Sequence, residues 1–227
     1  MLRPGKDKGI ASPIPLGLAA LAATTFLLGF AVIFEARTAW TPYFTQALVF
    51  GGLAELLAGM WAFAYGDTLG ATAFSFIGVF YGWLGLTNLS FLGAHAATAA
   101  GIFSVSSALV LVISGFVVLY LWIASFYESA AFNATLLFLW IALELVAINL
   151  FTGVEVVGLI GGISALISGL CGFYGSFGEV YNATSLQEVV PLGEPLSMRE
   201  RSEHDEHERI RRLHPSEPMG TTTDARV

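Results

Sequence analysis

Between Lys8 and Arg199 the chain carries one lysine or arginine, Arg37. A water-facing fold must spread charge over its surface, and soluble domains devote roughly 25% of their residues to charge. Here charged residues are 12% of 227, hydrophobic residues are 56%, and mean hydropathy is +0.73. So little charge cannot cover so much apolar mass in water. The composition predicts an all-α integral membrane protein. The net charge of −7 is shared between the tail and the rest of the chain and says little about the membrane part. Cys171 is the single cysteine and cannot form an internal disulfide.

A hydrocarbon layer of ~30 Å needs about 20 apolar residues per helix. Six such runs are present, at 14–34, 43–65, 68–92, 98–122, 130–151 and 154–177. They are continuously apolar, without the period-two alternation of a membrane β-barrel. The first run is longer than the apolar core of a signal peptide. Gly66-Asp67 is turn chemistry, and Asp67 suits the N-cap of the third helix. The expected organisation is an N-terminal segment 1–11, a six-helix membrane domain 12–182, and a polar mobile tail 183–227. Arg3, Lys6 and Lys8 precede the first span, and Arg199 to Arg226 follow the last. The positive-inside rule therefore predicts a multi-pass cell-membrane protein with both termini cytoplasmic, Arg37 and His95 outside. Trp40 and Tyr43 at one edge, and Tyr65, Trp122 and Tyr127 at the other, fit aromatic belts.

Several chemistries lack their residues. No lysine lies in a span for a retinal Schiff base, and His95, the one histidine near the membrane, falls in a loop. Paired axial haem ligands and an intramembrane serine protease base are thereby excluded. No G-x-x-x-x-G-K-[ST] loop occurs. His204 and His207, among Glu203, Asp205, Glu206 and Glu208, read as a solvated charged stretch rather than a metal site. The expectation is no enzyme, no catalytic residue, no cofactor, no metal and no nucleic-acid partner. Transport, channel activity or a structural role in the bilayer remains. Glycines, 25 in all, recur at small-residue spacing, as at Gly158, Gly162, Gly169 and Gly172, and suit close helix packing.

Residues 11–18, Ala-Ser-Pro-Ile-Pro-Leu-Gly-Leu, resemble the N-P-A-P-L-G-L signature of the acetate uptake transporter family, which includes bacterial succinate–acetate permeases and fungal ammonia/acetate exporters. Gly51-Gly52-Leu53-Ala54-Glu55 with Ala58-Gly59 is similar to the family's G-G-x-A-Q-x-x-A-G. Gly66-Asp67-Thr68 with Thr72-Ala73-Phe74 resembles G-N-T-F-x-x-T-A-F. Gly178-Glu179-Val180-Tyr181-Asn182, then Pro191-Leu192-Gly193, is similar to its closing motif. The resemblance implies a six-helix protomer, usually a hexamer with one pore per protomer. It implies passage of acetate and sometimes succinate, proton-coupled as a symporter in some members and channel-like in others. The family's pore is narrowed by a Phe, a Tyr and a Leu, and motif alignment puts these on Leu21, Ile77 and Leu139. Neither aromatic is kept.

The same positions can be read physically. Ser12, Pro13 and Pro15 make a stiff, capped helix entry leading into Leu16 and Gly17, and its free N–H groups and positive dipole end can attract a carboxylate. Thr24 and Thr25, Thr72 and Ser75, Asn149 and Tyr174 could offer hydrogen bonds along a pore; the alternative is that hydroxyls bond their own helix backbone. Glu55 and Glu144 are the costly residues, since an ionised acid at mid-bilayer costs several kcal/mol. Glu55 shares a face with Gly51 and Gly59 and so points into protein; it is either a protonatable relay or a neutral stand-in for the family's Gln. Glu144 is about 140° around its helix from Leu139, which suits packing or a subunit contact. The expected function is a permease or channel for small monocarboxylates, acetate foremost, in the lipid bilayer and as a homo-oligomer. The alternatives are an accessory membrane subunit with little transport, or a channel for ammonia or another small neutral solute.

Overall fold

The computed structural model describes residues 9–34, 43–88 and 105–197. Every regular element among them is helical: α1 (Ile14–Phe34), α2 (Tyr43–Tyr65), α3 (Thr68–Asn88), α4 (Val105–Ala124), α5 (Ala130–Thr152) and α6 (Glu155–Ser185). Each contributes a stretch long and apolar enough to cross a bilayer. This is a multi-pass membrane protein. Arg37, Trp40, His95, His204 and His207 lie outside the described residues.

Local chemistry sets the turns. Gly66, at φ +84°, ends α2, and its N–H reaches back to the Ala62 and Phe63 carbonyls. Asp67 then caps α3 as expected, its Oδ1 accepting from the Gly70 N–H at 3.0 Å. Between α4 and α5 a single 3₁₀ turn, Ser125–Tyr127, is tied down by Asn133, whose amide donates to Ser125 Oγ at 2.7 Å. Gly153, at φ +70°, makes the tight link from α5 to α6.

The last helix overruns its apolar stretch by two turns. Hydropathy marks where a chain leaves hydrocarbon, whereas backbone N–H to C=O bonds carry a helix on through polar residues. Left-handed Leu186 stops it. Residues 187–193, which composition assigns to the tail, are fastened to the bundle. Asn182 Oδ1 accepts from the Val189 and Val190 N–H groups, and its amide donates to the Val190 carbonyl. The Leu192 and Gly193 carbonyls accept from Ala131 and Ala130 at the start of α5.

Apolar side chains gain little by leaving lipid for protein, so close backbone approach and interhelical hydrogen bonds hold such a bundle together. The glycines supply the approach. A Cβ at Gly29 of α1 would lie 2.5 Å from the Gly162 carbonyl oxygen of α6, and one at Gly52 of α2 would lie 2.8 Å from Gly82 Cα of α3. The most extensive helix pairings are α1 with α6, α2 with α3, and α5 with α6. Outward faces are apolar, with Ile113, Phe116 and Val156 largely exposed. The belt expectation is corrected at two positions. Tyr43 is 1% exposed and Tyr65 8%, because both rings turn into the bundle, while Tyr127 does face out. Trp122 is half-buried, stacked on Trp140 at 5.9 Å.

Candidate permeation path

Three helices converge on one buried apolar layer. Leu21 of α1, Ile77 of α3 and Leu139 of α5 are at most 2% exposed and belong to a single core cluster. A recess lies to each side of this layer. On the side of the chain ends, Ile14, Leu18, Leu69, Gly70, Ser129 and Phe132 line a small pocket with Asp67, Glu128 and Glu179. On the far side, Leu28, Val32, Tyr43, Phe80, Leu84, Leu143 and Val146 line an apolar recess. Along α1 the order is Leu18, Leu21, Leu28; along α3, Gly70, Ile77, Phe80; along α5, Phe132, Leu139, Leu143. On all three helices the layer residue sits between the two recesses.

Two polar features adjoin the layer. One helical turn (~6 Å) beyond Leu21 and Ile77, the hydroxyls of Thr25 and Tyr81 lie 2.9 Å apart, both residues wholly buried. Close by on α2 is Glu55, also wholly buried, with neither carboxyl oxygen hydrogen-bonded. Glu55 and Tyr81 are within electrostatic reach of each other, as are Tyr81 and Tyr43. A π-helical stretch, Ala47–Ala54, immediately precedes Glu55. It brings Gly51 against the Tyr81 Cβ and the Thr24 side chain, at about the distance where any larger residue would clash. Wide turns of this kind recur at functional sites.

The remaining expected site residues fall elsewhere. Ser12 Oγ accepts from the Ile14 N–H at 3.4 Å, Pro13 is buried, and the Pro15 carbonyl accepts from Ser176 Oγ at 2.7 Å, which pins the helix entry to α6. Leu16 is 50% exposed on the outside of the bundle. Gly17 lets the Phe74 ring lie directly on α1, and Phe74 meets Phe132 edge-on on the chain-end side of the layer. Thr24 and Thr72 bond the carbonyls four residues back on their own helices. Ser75 Oγ is buried in the seam against Gly59. Asn149 lines a separate recess with Glu155 and Gly158, and the Tyr174 hydroxyl donates to the Pro191 carbonyl. Glu144 lies over Gly115 of α4, in the α4–α5 seam. Sequence reasoning missed Tyr81, Tyr43, Phe74 and Phe132. The signal for Tyr81 was its spacing, four residues beyond Ile77 and seven beyond Phe74 on one helix face.

Comparison with known proteins agrees with this architecture. The GPR1/FUN34/yaaH family profile matches residues 1–193, the bundle and its fastened strap included. Acetate permease A of Emericella nidulans is 46% identical over 86 residues, 35% of this chain and 28% of that permease's length. The succinate-acetate/proton symporter SatP of Escherichia coli K12 is 28% identical over 198 residues, covering 82% of this chain and 96% of SatP. Ammonia transport outward protein 2 of Saccharomyces cerevisiae is 28% identical, over 79% of this chain and 64% of that protein. The solved structure of the bacterial acetate channel SatP superposes with a TM-score of 0.73 at 26% identity, covering 81% of this chain and 99% of that one. This chain belongs to the GPR1/FUN34/yaaH family.

Proposed function

We propose that this protein is a membrane permease or channel for small monocarboxylic acids, acetate foremost, with the path running between the two recesses through the Leu21–Ile77–Leu139 layer. The observation that supports the reading is that layer itself, three fully buried aliphatic side chains from three different helices that fall, in chain order, between residues lining the two recesses. An acetate anion entering it would shed water and gain no hydrogen bond, at a cost of several kcal/mol. The neutral acid avoids most of that cost, so the protonated species is the one carried best. The names of the acetate permease and SatP relatives support acetate as the first substrate to try. In this reading both termini are cytoplasmic, as the basic residues at both ends favour. The protomers assemble as a homo-oligomer, a hexamer by resemblance, each with its own path. The test is uptake of labelled acetate by liposomes holding the purified protein. Uptake above that of protein-free liposomes is the expected result.

A second reading, a channel for ammonia, is favoured by the same apolar layer, which suits any small neutral solute, and by the ammonia transport relative. Liposomes loaded with a pH indicator distinguish the two, since ammonia entry raises internal pH and acetic acid entry lowers it.

A further inference from the structure

Glu55 ends the π-helical stretch of α2, is wholly buried, and has neither carboxyl oxygen bonded. Buried polar groups are nearly always satisfied within the fold, so an acid left open at this depth marks a place for a partner from outside. Among the described residues no lysine, arginine or histidine is present to be that partner. The titratable groups facing this region are Tyr81 of α3 and Tyr43 of α2. Helix α1 contributes hydroxyls only, at Thr24 and Thr25, and both are already engaged.

We propose that Glu55, carried as the neutral acid, binds one molecule of a short neutral carboxylic acid through a reciprocal pair of hydrogen bonds. Its O–H donates to the ligand carbonyl while its own carbonyl accepts from the ligand O–H. A protonated carboxyl group offers one donor and one acceptor at fixed spacing, and a second protonated carboxyl group presents the complementary pair. An anion offers acceptors alone and brings an uncompensated charge into the bundle. The pair forms near Tyr81, whose hydroxyl is bridged to Thr25, and the far-side recess reaches the neighbouring Phe80 on α3 and Tyr43 on α2. This inference rests on the reading of the chain as a small-acid permease.

The test combines infrared difference spectroscopy with flux, on the full chain in liposomes at acid pH. Acetic acid should shift a protonated-carboxyl C=O band of the protein to lower frequency, and Glu55→Gln and Glu55→Met should both lack that band. Acetate flux should fall about tenfold or more in Glu55→Met, which leaves the ligand's polar groups unmatched. Glu55→Gln should lose clearly less, because it keeps a donor and an acceptor. A parent protein that carries acetate while its carboxyl bands ignore it overturns the proposal, and this holds even where Glu55→Met fails to fold. Equal loss in Glu55→Gln and Glu55→Met overturns it as well. A parent that carries no acetate overturns the permease reading itself.

Discussion

The Thr25 and Tyr81 hydroxyls meet at 2.9 Å across 56 positions of sequence and join α1 to α3 one turn beyond the apolar layer. Both residues are wholly buried, which shields the bond from bulk solvent. A buried hydroxyl that loses its partner costs about 1–3 kcal/mol. The bridge therefore fixes the separation of the two helices that carry Leu21 and Ile77.

Tyr81→Phe should lower stability by about 1–2 kcal/mol, which for a chain of this size is a fall in Tm of roughly 2–8 °C. Thr25→Val should cost a similar amount. The double variant should cost little more than either single one, since the same bond is removed once. Thermal unfolding of the four proteins in one detergent closes the cycle. Strict additivity would mean that the two hydroxyls do not interact.

Acetate uptake should rise as external pH falls. The neutral fraction of a carboxylic acid grows about tenfold for each pH unit of acidification while the pH stays above a pKa of ~4.3. Ile77→Tyr places a hydroxyl in the layer and should flatten that dependence by helping the anion. Leu139→Ala should widen the layer and admit lactate or succinate relative to acetate. Flux of the three acids across pH, at equal reconstituted amounts, is the measurement. Unchanged selectivity and pH profile in both variants would place the rate-limiting constriction elsewhere.

Gly29→Ala should destabilise the bundle by about 1–3 kcal/mol, the usual cost of overpacking a tight interior. The added methyl group would sit 2.5 Å from the Gly162 carbonyl oxygen and 2.8 Å from the Leu166 backbone nitrogen, neither of which can swing away as a side chain would. Unfolding in detergent, with oligomeric state followed by gel filtration, reads the effect. A variant as stable as the parent would show that α1 and α6 can separate at no cost.

Single cysteines at Thr38 and Ser197, in a Cys171→Ser background, should react with a membrane-impermeant reagent from opposite faces of the cell membrane, Thr38 from outside. Labelling of both from one face would overturn the assignment of cytoplasmic termini.

The membrane class, the number of spans and several helix ends were legible in the chain because they depend on local quantities. Depletion of charge between Lys8 and Arg199 reports the solvent, runs of about 20 apolar residues report the crossings, and Gly66-Asp67 reports a turn through backbone and capping chemistry alone. The pairing of Thr25 with Tyr81 was not legible. In a uniformly apolar helix every face has similar hydropathy, so periodicity does not say which hydroxyl looks inward, and an aromatic near a span end reads equally well as an interfacial anchor. Tertiary packing decided that question. Glycine contacts between α2 and α3 and between α1 and α6 fix each helix's rotation, and rotation alone turns Tyr43 and Tyr81 inward, Leu16 outward, and Glu55 into a buried place without a bonded partner.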